Sequence, residues 1–148
     1  MIDNHDNFAH LLHFIVISTH DEVTLLRAIM DGDGGMPPCA LISPPDAGCS
    51  MGVAWWRALT AETPAPAFLD CGIAAGRAAE GLRAGLAGVI VDPACTQHAA
   101  LAGLARVTGG RCLRARPDAH AIGGPDAAAR LRAYLRHTPS GGHIPHGT

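Results

Sequence analysis

Short apolar or β-branched runs alternate along this chain with longer segments rich in alanine, leucine and arginine, and turn residues separate the two. The pattern returns every 21 to 28 residues, the spacing of successive βα units. Strands are expected at His13–Thr19, Cys39–Ser43, Ala67–Asp70, Gly88–Asp92 and Arg111–Arg114, with a short sixth at His120–Ile122. Helices are expected at Asp21–Met30, Ser50–Thr60, Ala74–Ala84, Cys95–Val107 and Asp126–His137. Thr19 or His20 precedes the first helix, whose opening Asp21 and Glu22 complement its dipole. Because the apolar runs are continuous, the strands are covered on both faces, as in parallel sheets with crossover helices. The expected class is α/β, a five- or six-stranded mostly parallel sheet with flanking helices. Five or six strands are too few for a closed eight-stranded barrel, so a flavodoxin-like open sheet is expected, with a partial βα barrel as the alternative.

The 148 residues suit one domain, read here as an N-terminal arm over 1–12, the α/β domain over 13–137 and a His/Gly/Pro tail over 138–148. Hydrophobic residues make up 48% and charged residues 16%, which excludes a disordered chain. Eleven basic against thirteen acidic residues give a net charge of -2, without the basic footprint of a nucleic-acid binder. The apolar stretch Phe14–Ile17 is far shorter than the roughly 20 residues of a membrane helix. With no secretory leader, the chain is expected to be soluble and cytoplasmic.

All eleven basic residues besides histidine are arginine. That excludes a Schiff-base lysine and a Walker A loop, while arginine can still hold phosphates or carboxylates. Cys39, Cys49, Cys71, Cys95 and Cys112 are odd in number and form no CxxC pair, so a disulfide framework is not expected. The nine histidines match no zinc spacing, so no metal site is expected, and no motif names a cofactor. Adjacent Trp55 and Trp56 point about 100° apart on a helix, one into the core and one partly outward. An outward tryptophan marks a subunit contact, and a homo-oligomer, a symmetric dimer, is expected.

Open α/β sheets bind ligands beyond the carboxyl ends of their strands. The residues there are Ser18, Thr19, His20 and Asp21; Ser43 and Asp46; Asp70 and Cys71; Asp92 and Cys95; Arg114 and Arg116. Turn and cap chemistry alone also selects such residues, so only convergence in space separates the two readings. The sharpest local feature is Asp70-Cys71-Gly72-Ile73-Ala74-Ala75-Gly76-Arg77, a strand passing through a glycine loop into a helix. Free N–H groups, the helix dipole and Arg77 suit a phosphate or carboxylate there. Gly72, Gly76 and Arg77 are the candidate anion ligands, with Asp70 and Asp92 orienting the rest. Cys71 is the candidate thiol nucleophile, with His20 or His98 as its base. The expected partner is a small anionic or phosphorylated molecule.

Three resemblances accompany this reading. Ala121-Ile122-Gly123-Gly124-Pro125-Asp126 resembles the phosphate loop before a late helix in phosphate-binding TIM barrels such as thiamin phosphate synthases, which implies Gly123 and Gly124 as phosphate ligands. The element order, Asp21-Glu22, Leu69-Asp70 and Pro117 are similar to response-regulator receiver domains, which implies Asp70 as phosphoacceptor; the alternative function is a degenerate receiver-like module that works by protein contact without catalysis. Here Arg116 stands where that family has lysine, and His20 and Asp92 depart from its pattern. The whole chain also resembles a group of small bacterial α/β proteins with an SPP loop, a WW-containing helix and an LDCG strand end, which implies no activity.

Overall fold

The computed structural model describes residues 12–32 and 38–137. The arm before Leu12, the tail after His137, and with them His10, His143 and His146, lie outside the described residues. The chain runs β1 (His13–Val16), α1 (His20–Gly32), β2 (Cys39–Ile42), α2 (Ala47–Ser50), α3 (Val53–Thr60) and β3 (Ala67–Asp70). It continues through α4 (Ala75–Arg83), β4 (Gly88–Ile90), α5 (His98–Thr108), β5 (Arg111–Leu113), β6 (His120–Ala121) and α6 (Ala127–Arg136). The six strands form one open, all-parallel sheet in the order β5-β4-β3-β2-β1-β6. The α/β class and the open sheet are as expected, and the sheet is not closed into a barrel.

Strand order is what periodicity leaves undetermined. From β1 to β5 each strand pairs with its predecessor on the same side, without the reversal of a doubly wound sheet, and β6 returns to the outer side of β1. Right-handed crossovers that always step the same way lay every helix on one face. Side chains accordingly sort into two layers. Ile15, Leu41, Leu69, Val89 and Cys112 face the helices and pack with Val23, Leu26, Trp56, Leu82, Leu101 and Leu135. Phe14, Ala40, Ile42, Phe68, Ile90 and Leu113 form the other layer, with Leu12, Val16 and Ala119 against it and, among the described residues, no helical one. Phe14, Ala40, Ile42 and Phe68 are 0% exposed. Phe14 and Phe68 meet edge to face at 5.5 Å within this layer. The one-sided winding is a feature of the alternative, a partial βα barrel, but the β5 and β6 edges are not paired with each other.

Local chemistry explains where elements start. Thr19 and Glu22 form a capping box: the Glu22 amide donates to Thr19 Oγ1 at 3.2 Å, and Glu22 Oε1 accepts the Thr19 amide at 3.0 Å and the Ser18 amide at 2.7 Å. The helix expected over Ser50–Thr60 starts only at Val53, because Gly52 takes φ +90° and separates it from the short α2, which shares only Ser50 with the expected span. The helix expected from Cys95 starts three residues later, at His98. Asp92 holds the intervening turn, its Oδ1 accepting the Ala94 amide at 2.8 Å and its carbonyl the Cys95 amide at 2.8 Å. Trp56 is fully buried and Trp55 half-buried, as the helix geometry requires. Among the described residues no helix is long and apolar enough to cross a membrane.

Candidate functional site

The carboxyl ends of β2, β3 and β4 open onto one cleft of about 200 Å³, lined by Asp46, Asp70, Gly72, Asp92 and Arg116 with Pro45, Ile90, Val91 and Pro93. Parallel pairing is what assembles it. Register sets Asp70 beside Ile90, and the chain then leaves each strand on the same rim. Gly72 sits at the centre: its amide donates to Asp70 Oδ1 at 3.0 Å, and its carbonyl accepts the Asp92 amide at 2.8 Å. Its φ of +56° suits glycine, and a β-carbon there would collide with the Asp46 carboxylate. Asp46 itself has φ +60°, a left-handed conformation that aspartate tolerates better than most residues.

Asp70 is buried, at 6% exposed. Its amide donates to the buried Ser43 hydroxyl at 2.9 Å, and its Oδ2 accepts from Arg116 Nη1 at 2.8 Å. Arg116 comes from the helix-free connection after β5 and reaches past β4 to β3, so this pair ties that connection to the middle of the sheet. A guanidinium and a backbone N–H answer both Asp70 oxygens, the partners a buried carboxylate requires. Asp46, Asp70 and Asp92 against Arg116 leave the cleft lining with an excess of negative charge.

Of the expected site residues, Asp70, Gly72 and Asp92 meet here, and Asp46 and Arg116 join them from the wider set of post-strand positions. Gly76 and Arg77 do not line the cleft. Arg77 lies in the exposed first turn of α4 and pairs with Glu80 at 3.0 Å, one helical turn on. Gly123 and Gly124 lie beyond β6 and outside the lining, where Arg130 Nη1 donates to the Gly123 carbonyl at 2.8 Å. Cys71 is 0% exposed and turns toward the helix layer. Burial, with Asp70 beside it, pushes its thiol up to about 12, so at neutral pH it is a protonated core thiol rather than one activated toward a ligand in the cleft. Asp21 is exposed and Glu22 serves the helix cap, so neither acid of that pair lines the cleft. Arg116 was legible only as a post-strand residue; no local signal aims it at a strand two places away.

Among the described residues no group of three or more His, Cys, Asp or Glu could hold a metal ion. Comparison with protein-family models, curated proteins and solved structures finds no match in any of the three.

Proposed function

We propose that this is a cytoplasmic binding protein for a small anionic molecule, held at the carboxyl ends of β2, β3 and β4 with Arg116, rather than Arg77, as the partner of the anion. One observation carries the reading: Arg116 is the cation in the cleft lining, and it stands there beside three carboxylates. A guanidinium has five N–H donors, and the bond to Asp70 runs through Nη1. The carboxylates of Asp46 and Asp92 only accept, so they select a ligand whose remaining groups donate. A multiply charged anion would meet their repulsion. The ligand class is therefore a small carboxylate or phosphate ester carrying hydroxyl or amino groups, small because the cleft of about 200 Å³ lies below the usual range for drug-sized ligands. The free state of all five cysteines supports a reducing compartment.

Titration calorimetry with small hydroxy acids, amino acids and sugar phosphates tests this on wild type, Arg77→Ala and Arg116→Gln. Heat is expected in the first two and lost in the third. Equal heat in Arg116→Gln, or none in any protein, sinks the reading.

A second reading is favoured by the same ion pair. Arg116, in the position of the lysine in the receiver likeness, touches Asp70, in the position of its phosphoacceptor. Incubation with acetyl phosphate and magnesium, followed by intact mass, tests its phosphorylated version. A phosphoryl adduct on Asp70 favours phosphate-dependent protein contact; an unchanged mass removes that version and leaves ligand binding or a degenerate receiver-like contact module without catalysis, between which the calorimetry decides.

A further inference from the structure

We infer that Cys49 and Cys71 are a redox pair whose disulfide would lock together two loops of the cleft rim. Cys49 lies in α2, three residues after Asp46, and Cys71 lies between Asp70 and Gly72. Both therefore belong to segments that line the cleft. The two backbones touch. A β-carbon on Gly48 would stand 2.8 Å from Cys71 Sγ and 3.1 Å from Cys71 Cα, and Cys49 Sγ already donates to the Cys71 carbonyl at 3.3 Å. The Cys49 sulfur thus already lies against the main chain of Cys71, and a disulfide would need the two side chains to turn toward each other until their geometry meets the bond's narrow limits. Gly48 is what permits the contact, since any side chain there would push α2 away from Cys71.

The two thiols differ in the way a sensing pair needs. Cys49 is exposed and Cys71 is buried. A peroxide is the oxidant by class. The Cys49 sulfur attacks one peroxide oxygen, the O–O bond breaks, water leaves, and Cys49 becomes a sulfenic acid. The Cys71 sulfur then attacks the Cys49 sulfur, the S–O bond breaks, and the departing hydroxide takes the Cys71 proton as a second water. Two thiols lose two protons and two electrons, and the peroxide is reduced to two waters. Burial, which keeps Cys71 protonated, protects it from meeting the oxidant first and confines its part to the second step. Cys95 and Cys112 lie near enough to influence one another, but both are buried, so neither offers peroxide an exposed thiol.

The meaning of the lock as control of ligand entry rests on the proposed binding function; formation of the bond does not. The experiment reads the bond directly. Reduced full-length protein is treated with stoichiometric hydrogen peroxide, free thiols are alkylated, and the unreduced digest is mapped by mass. A Cys49–Cys71 peptide pair is expected, reversed by dithiothreitol and absent from Cys49→Ser, a surface change that leaves the fold intact by circular dichroism. Over-oxidation of Cys49 with Cys71 still reduced, a Cys49–Cys49 link between two copies, or a Cys95–Cys112 bond alone would overturn the inference. Calorimetry on the oxidised and reduced forms then separates the two claims: a mapped disulfide with no ligand heat in either form refutes the binding function and leaves the redox pair standing.

Discussion

Gly88 shows how closely the Phe14–Phe68 face of the sheet is packed, because the ring of Phe68 lies where its β-carbon would be and the Arg111 carbonyl is 3.0 Å away. Gly88→Ala must displace the ring and is expected to destabilise the protein by about 1–3 kcal/mol, the range of overpacked cores. Urea unfolding measures it, and Phe68→Leu in the same chain should recover part of the loss. An unchanged midpoint for Gly88→Ala would mean the ring has somewhere else to go. Arg116 is the second decisive side chain. Arg116→Ala leaves Asp70 buried without its cation, and with Arg116 itself 27% exposed the expected cost is about 1–3 kcal/mol, below that of a wholly buried pair. Adding Asp70→Asn removes the orphaned charge and should restore some of that stability; if the double variant is less stable still, the pair is not what holds this rim.

Among the elements, β6 is the shortest, and its attachment is completed by a side chain. It pairs with β1 only at Ile15–His120 and Val16–Ala121. One residue earlier, the Tyr134 hydroxyl of α6 accepts the Phe14 amide at 3.1 Å and donates to the Phe14 carbonyl at 3.0 Å, standing in for a missing strand residue. Its ring stacks on His120 at 4.8 Å and meets His13 edge-on at 5.0 Å, while the His13 ring also bonds the His137 carbonyl. Tyr134→Phe keeps the ring packing and strands both backbone groups, so a loss of about 1–3 kcal/mol is expected in denaturant unfolding. No loss would show that water replaces the hydroxyl. At the opposite end of β1, Thr19→Ala removes one half of the capping box, with an expected cost of about 1 kcal/mol.

At the scale of the molecule, stability is expected to fall at both ends of the pH range. Burial, and then Arg130, lower the pKa of His120 from 6.5, so the unfolded chain binds the proton more readily and stability is lost as pH falls below that value. Burial raises the pKa of Tyr134 from 10.0 and of Cys71 from 9.0, so the folded state keeps these protons longer and stability drops as pH rises past the unfolded values. Thermal midpoints under reducing conditions, from about pH 5 to about pH 11, should form a plateau with two falling edges. A midpoint still climbing above pH 10 would contradict the alkaline arm, and Tyr134→Phe should soften it.

The α/β class, the six strands and most helix positions follow from local periodicity, because a run such as Phe14-Ile15-Val16-Ile17 can be covered on both faces wherever the chain later goes. Asp70, Gly72 and Asp92 were legible as strand-end residues for the same reason: parallel strands deliver their ends to one rim. Strand order, the one-sided winding, the Arg116–Asp70 pair and the Cys49–Cys71 contact depend on which segments become neighbours after folding, a choice made by packing between residues tens of positions apart. Arg77 and Arg116 look alike in sequence; the helix turns one toward Glu80 in solvent, and the connection after β5 carries the other across to Asp70.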